Sequence, residues 1–303
     1  MLNQPGFLPI QRKCQARAAR LNQFFLACLV PIIALGLLSS SVGMAATAPC
    51  GLGDPCTVQG GDYHLLIPEP PRKAAPMPVL LWFHGHRSSG ESALKSATIK
   101  RVFVDQGFVV VSPNGALRPG TDIRGWPGRA NNPYRDDVAF VERVMADVTT
   151  RLPIDHDRIL VSGFSAGGSM AWQLACFAGQ KYRAFAPVAG TLRAPNPVGE
   201  ACPDQPFDLL HIHGLTDGQV PLEGRTIRDW HQGDVFARMG LARATNGCQS
   251  KPTGFTGDGV YRCRHWDGCS SGRQLSLCLH EGGHGLSKNW AEKVYAWFMA
   301  LPL

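Results

Sequence analysis

Charge is scarce in this 303-residue chain. Asp, Glu, Lys and Arg make up 17% of it, against 44% hydrophobic residues. The net charge of +7 owes four of its charges to Arg12, Lys13, Arg17 and Arg20, within a 20-residue stretch that has no Asp or Glu. The remaining +3 is scattered, which excludes the basic stripe needed to hold nucleic acid. No G-x-x-x-x-G-K loop and no dinucleotide fingerprint is present, so nucleotide chemistry has no cradle. No Cys-x-x-Cys spacing is present, which weighs against a metal site built from Cys263, His265, Cys269, Cys278 and His280. No internal repeat appears, and no linker is long enough to divide residues 47–303.

The apolar run at 24–38 has 15 residues, short for a membrane span, and Pro31 interrupts it. Basic residues precede it and small residues follow at 39–48, the order of a secretory signal peptide. Residues 1–46 are therefore expected to be removed, with the cut between 45 and 48. That implies a secreted, extracellular or periplasmic protein with no stable membrane association after cleavage. Eight cysteines lie beyond the signal, and an even number in an exported chain points to disulfides. Sequence leaves the connectivity open. The expected pairs are Cys50 with Cys56, Cys176 with Cys202, Cys248 with Cys269, and Cys263 with Cys278 across two strand-like runs.

Along the rest of the chain strands alternate with helices. Strand-like runs lie at 63–68, 79–84, 108–111, 184–188, 209–212, 260–266 and 274–280. Helical runs lie at 90–106 (Ser89 a candidate cap), 136–151, 169–178, 234–246 and 289–300. Such alternation predicts a single α/β domain: a mostly parallel sheet with helices on both faces.

The densest signal is 158–168. A β-branched apolar run ends in Gly163-Phe164-Ser165-Ala166-Gly167, and helix-compatible sequence follows. Strand, tight turn and helix together make a nucleophile elbow, in which small residues must surround a strained serine. Without chemistry the segment is a Gly-rich β-to-α turn. A serine nucleophile needs a base and an acid that orients the base, in the order Ser, Asp, His for this architecture. Asp217 follows the apolar strand 209–212 and the turn residue Gly214. His284 sits among glycines after the last strand, with His280 as its rival. His211 and His213 lie in a strand and read as structural. The oxyanion hole requires two backbone N–H groups, expected from Ala166 and from His86, where Gly85 would permit a close approach. Trp126, on a long polar loop, is a candidate for the substrate pocket or for plain packing; Trp230 and Trp266 fit either role, and Trp82 reads as core. No metal and no cofactor are called for.

These residues resemble the α/β-hydrolase family of secreted polyhydroxybutyrate depolymerase-like and feruloyl esterase-like enzymes. The matching segments are Leu81-Trp82-Phe83-His84-Gly85, Arg124-Gly125-Trp126, Asp136-Asp137-Val138-Ala139-Phe140 and Gly163-Phe164-Ser165-Ala166-Gly167-Gly168, then Phe185-Ala186-Pro187-Val188-Ala189-Gly190, His211-Ile212-His213-Gly214 with Asp217, and Gly282-Gly283-His284. They run in family order from about residue 60 onward. The resemblance implies the α/β-hydrolase fold and a triad of Ser165, Asp217 and His284. It also implies a serine carboxylesterase acting on small or oligomeric esters: hydroxyalkanoate oligomers first, feruloyl or acetyl esters of plant polysaccharides as the alternative. A catalytically silent binding module on the same scaffold is the reading from another class. Gly285-Leu286-Ser287 departs from the Trp or Pro-rich continuation often found after the family histidine, which implies a different substrate rim.

Overall fold

The computed structural model describes residues 50, 54–69, 75–127, 134–194, 202 and 205–302. The signal-peptide reading of residues 1–46 lies outside them. The elements belong to one unit, Thr47–Leu303. In chain order the strands are β1 (Cys56–Val58), β2 (Gly61–Leu66), β3 (Met77–Phe83), β4 (Val109–Pro113), β5 (Ala116–Leu117), β6 (Arg124–Gly125), β7 (Ile154–Phe164), β8 (Ala184–Val188), β9 (Arg193–Ala194), β10 (Asp208–Gly214), β11 (Arg225–Ile227), β12 (Trp230–Gln232), β13 (Gly254–Asp258), β14 (Tyr261–Trp266) and β15 (Leu275–His280). The helices are α1 (Glu91–Leu94), α2 (Ala97–Ile99), α3 (Asp137–Arg151), α4 (Ala166–Phe177), α5 (Val235–Asn246) and α6 (Trp290–Ala300).

Ten strands form one sheet in the order β1-β2-β4-β3-β7-β8-β10-β15-β14-β13. The six from β4 to β15 are mutually parallel, and the outer strands on each side pair antiparallel. Parallel strands are buried on both faces, which is why Val79, Leu80, Leu81, Trp82 and Phe83 form an unbroken apolar run. One face packs against α3 and α4 through Phe140, Val144 and Trp172. The other carries α6, whose Trp290, Val294 and Phe298 are buried on it. Trp82 is core, as its strand position suggested, and lies 4.9 Å from Trp290 between ring centroids. The chain leaves β3 outward to β4 and then returns past it to β7. Winding therefore reverses between β3 and β7, and loops leaving their carboxyl ends face a common crevice.

Caps explain several boundaries. Asp136 accepts from the Ala139 N–H at the start of α3, and Asp234 from the Ala237 N–H at the start of α5. Gly247, at φ 64°, ends α5 in the left-handed conformation. The single helix expected over 90–106 is instead three short pieces: α1, α2 and a π-helical turn, Lys100–Val104. The cause is Ser96, whose Oγ accepts from the Ile99 N–H (3.2 Å) and restarts the helix, while Ser89 makes no side-chain cap. β13 was not foreseen; its five residues are mostly exposed and lack an apolar alternation. All four expected disulfides are present, Cys50–Cys56, Cys176–Cys202, Cys248–Cys269 and Cys263–Cys278. Cys263 and Cys278 face each other directly in the β14–β15 register, so bridging them needs no backbone detour. With those thiols oxidised, Cys263, Cys269 and Cys278 are unavailable to a metal.

Candidate active site

Ser165 lies between β7 and α4 with φ 59° and ψ −118°, a conformation L-residues rarely adopt. The surroundings hold it there. Its N–H donates to the Val188 carbonyl (2.9 Å), and its own carbonyl accepts from the Ser169 N–H (3.0 Å). The helix begins at Ala166, three residues earlier than the sequence suggested, so the turn is as short as it can be. That compression requires glycine: a Cβ on Gly167 would stand 2.0 Å from the Phe83 carbonyl oxygen. Gly85 differs from the expectation. A Cβ there would meet Phe164 and Ser165 at 3.5–3.7 Å, ordinary contact, so protein packing does not demand glycine at that position.

The other groups arrive on loops from neighbouring strands. β10 ends at Gly214, where a Cβ would lie 2.2 Å from the Gly282 carbonyl oxygen; glycine lets the loop after β15 cross close above. Asp217 follows in the turn after β10, and His284 stands on the crossing loop. His284 Nε2 lies 2.9 Å from Ser165 Oγ, and its Nδ1 lies 2.8 Å from Asp217 Oδ2. The rival His280 stays in β15, where its Nδ1 accepts from the Gly282 N–H. Phe164 packs on the His284 ring, centroids 4.9 Å apart. Burial by itself would raise the Asp217 pKa. Hydrogen bonds from His213, from the Val220 and Gln219 N–H groups and from His284 outweigh it and hold the carboxyl well below the usual range.

Behind Asp217 lies a buried relay that sequence reasoning treated only as structural histidine. The Trp172 indole N–H donates to His211 Nδ1 (2.9 Å). An indole nitrogen only donates, so His211 carries its proton on Nε2, which faces His213 Nδ1 at 3.0 Å. His213 then presents Nε2–H, 2.7 Å from the Val220 carbonyl and 3.4 Å from Asp217 Oδ2. Burial, then the neighbouring His213, pushes the His211 pKa well below its ordinary value, which keeps it neutral in this role.

The 84–87 loop comes off β3 beside Ser165. His84 anchors it: Nδ1–H donates to the Gly85 carbonyl (2.7 Å) and Nε2 accepts from the Gly115 N–H (2.9 Å). Burial lowers its pKa to about 4. Trp126, a candidate for the pocket wall, is 1% exposed; its indole N–H donates to the His84 carbonyl (2.9 Å) and its ring meets Phe83 edge-on. It supports the loop from beneath and also lines a cleft that reaches Ser165. Among the described residues no acceptor takes the N–H of His86 or of Ala166.

Two clefts meet at Ser165. One, about 540 Å³, has Phe164, Leu286, Ile99 and Ala93 in its wall. The other, about 500 Å³, extends past Gln219 toward Trp230 and is rich in arginine. Trp230 thus lines a cleft, whereas Trp266 is buried core. Leu286, which departs from the family pattern, is 44% exposed at the rim of the first cleft. Serine, imidazole and carboxylate in one hydrogen-bonded line, beside unoccupied N–H groups at a helix N-terminus, can perform acyl transfer.

No protein-family model matches the chain. A feruloyl esterase D of Neurospora crassa is 26% identical over 286 residues, 89% of this chain and 91% of its own length. A feruloyl esterase C of Emericella nidulans is 27% identical over 234 residues, 75% of this chain and 77% of its own. The chain is a homologue of feruloyl esterases. An acetyl xylan esterase from Aspergillus awamori superposes with a TM-score of 0.58 at 12% identity, covering 78% of this chain and 93% of that one. At that identity the likeness speaks for the fold, and the fold is that of the α/β-hydrolases.

Proposed function

We propose that this feruloyl esterase homologue is an exported serine carboxylesterase, with Ser165 as nucleophile, His284 as general base and acid, and Asp217 as the group that orients His284. The observation that carries the reading is the unbroken line from Ser165 Oγ through His284 to Asp217 Oδ2, at 2.9 and 2.8 Å, on a strained elbow. Ser165 Oγ attacks the ester carbonyl carbon while its proton passes to His284 Nε2. Negative charge on the former carbonyl oxygen meets the N–H groups of Ala166 and His86. The C–O bond to the alcohol breaks as His284 returns its proton to the leaving oxygen. Water then gives a proton to His284, attacks the acyl-enzyme and releases the acid, and the proton goes back to Ser165.

The relatives favour feruloyl esters over hydroxyalkanoate oligomers, because feruloyl esterase is the activity their names carry. The four disulfides fit an oxidising compartment, in keeping with residues 1–46 as a signal peptide. No helix of the described residues is long and apolar enough to cross a membrane. The test compares wild type with Ser165→Ala on methyl ferulate, a p-nitrophenyl ester and a 3-hydroxybutyrate oligomer, with fluorophosphonate labelling alongside. The variant is expected to stay folded, resist the label and lose about 10⁴-fold or more in kcat. Near-wild-type turnover by it would refute the mechanism. Preference for the oligomer over ferulate would restore the hydroxyalkanoate reading.

A further inference from the structure

The second cleft has a composition that ester hydrolysis does not explain. Three small elements outside the main sheet converge on it. Arg118 and Arg124 come from the β5–β6 hairpin and its turn, Arg193 from β9, and Arg225 and Arg228 from β11 and the turn that follows it. Among the described residues, Asp229 is the only carboxylate in the lining. Some of these arginines have structural work. Arg193 donates to the Trp126 carbonyl and lies 5.0 Å from the Trp230 ring centroid. Arg124 donates to the Gly115 carbonyl and stands 3.8 Å from Asp62. Arg225 is fixed by bonds from Nε to Gln232 Oε1 (2.8 Å) and from Nη1 to the Gly218 carbonyl. For Arg118, Arg225 and Arg228, no described carboxylate lies within ion-pair distance.

The backbone adds an independent sign. Arg228 is the first of two residues joining β11 to β12, and its φ is 53°. Two-residue hairpins with positive φ at that position favour Asn, Asp or Gly. An arginine held there against its backbone preference, at the rim of a cleft that reaches Ser165, is strain located at a binding surface. The field of the cluster is also felt nearby: after burial, Arg87, Arg193 and Arg118 lower the pKa of His86. A concave wall bearing one sign of charge concentrates ligands of the other sign, and guanidinium forks match a carboxylate bidentately.

We infer that the arginine cleft receives a carboxylate borne by the substrate, so the preferred ester is an anion. The inference rests on the esterase reading of Ser165. The carboxylate can stand on the acyl side, as in a dicarboxylic half-ester, or on the alcohol side, as in a uronate or a free-acid hydroxyacyl dimer. The chemistry recognised is the same, and two matched pairs of probes separate the sources. p-Nitrophenyl hemiglutarate against p-nitrophenyl methyl glutarate tests the acyl side. The free acid of the 3-hydroxybutyrate dimer against its methyl ester tests the alcohol side.

At low salt the free acid of at least one pair is expected to exceed its neutral partner in kcat/KM by about tenfold or more. The ratio should fall toward one at about 1 M salt, where screening acts within ~3 Å. It should also fall in the double variant Arg225→Gln/Arg228→Gln, mostly through KM. Equal or faster turnover of the neutral partner in both pairs, by enzyme that labels with fluorophosphonate, overturns the inference and leaves the esterase reading standing. Absence of both turnover and labelling in folded protein overturns the esterase reading, and the inference with it.

Discussion

Single residues here act mostly through the protonation state their surroundings impose. His84 shows this most simply. It is buried at the root of the 84–87 loop, and burial lowers its pKa to about 4. Between pH 6.5 and 4 the unfolded chain binds a proton at this position that the folded chain does not. Stability must therefore decrease as pH falls through that window, by about 3 kcal/mol for this residue. The fully buried His211 acts in the same direction. Urea unfolding across the window should show the decline, and His84→Gln, which keeps a donor and an acceptor without titrating, should flatten it. An unchanged slope in that variant would mean His84 does not carry the proton linkage. Asp217 works in the opposite sense. Its depressed pKa makes it an anion throughout the range where esters are hydrolysed, so it can hold the His284 Nδ1–H in place.

At the scale of elements, the site is a meeting of strand ends. β7 supplies the elbow, β3 the 84–87 loop, β10 the aspartate and β15 the histidine. Their parallel register, with Phe83 opposite Gly163 and Gly214 opposite His280, brings the four loops to one edge. Gly167→Ala tests the closeness of β3 to the elbow helix. Its Cβ would strike backbone that cannot yield, so a loss of about 3 kcal/mol or more is expected in thermal unfolding, together with loss of fluorophosphonate labelling. α4 contributes more than its N-terminus, because Trp172 on its buried face starts the relay to Asp217. Trp172→Phe would keep the packing and leave His211 Nδ1 without its donor. The expected result is a stability loss of about 1–3 kcal/mol and a lower kcat at unchanged KM. If kcat stays at wild type while stability falls, the relay serves the core alone.

For the whole molecule, a large parallel sheet is closed at one edge by the β13–β14–β15 meander, and the Cys263–Cys278 bridge ties β14 to the strand that leads to His284. Replacing both cysteines by alanine should cost about 3 kcal/mol by releasing the 15-residue loop, which lowers Tm by roughly 10 °C in a domain of this size. Scanning calorimetry of the double variant checks it. A Tm within about 2 °C of wild type would show that strand pairing alone carries this edge.

The order of strands and helices, the elbow and the residues Ser165, Asp217 and His284 were legible in sequence because each depends on local chemistry: apolar runs, turn glycines and a fixed order along the chain. The disulfide partners could be guessed for a related reason, since two strand-like runs each placed a cysteine where a hairpin would oppose them. Other features were beyond reach because they need distant segments to meet. Trp126 could be a pocket residue or plain packing by sequence; only the fold shows it lining the arginine-rich cleft while its indole is folded under the 84–87 loop. Trp172, His211 and His213 gave no sign of a relay, since nothing local says that α4 and β10 will set their rings in line. Nor does any local pattern announce that arginines at 118, 124, 193, 225 and 228 will share one wall. Sequence determined which groups this protein carries and in what order they follow along the chain. Only the tertiary structure decided which groups face one another, because proton direction and field depend on distances of a few ångströms between residues far apart in the chain.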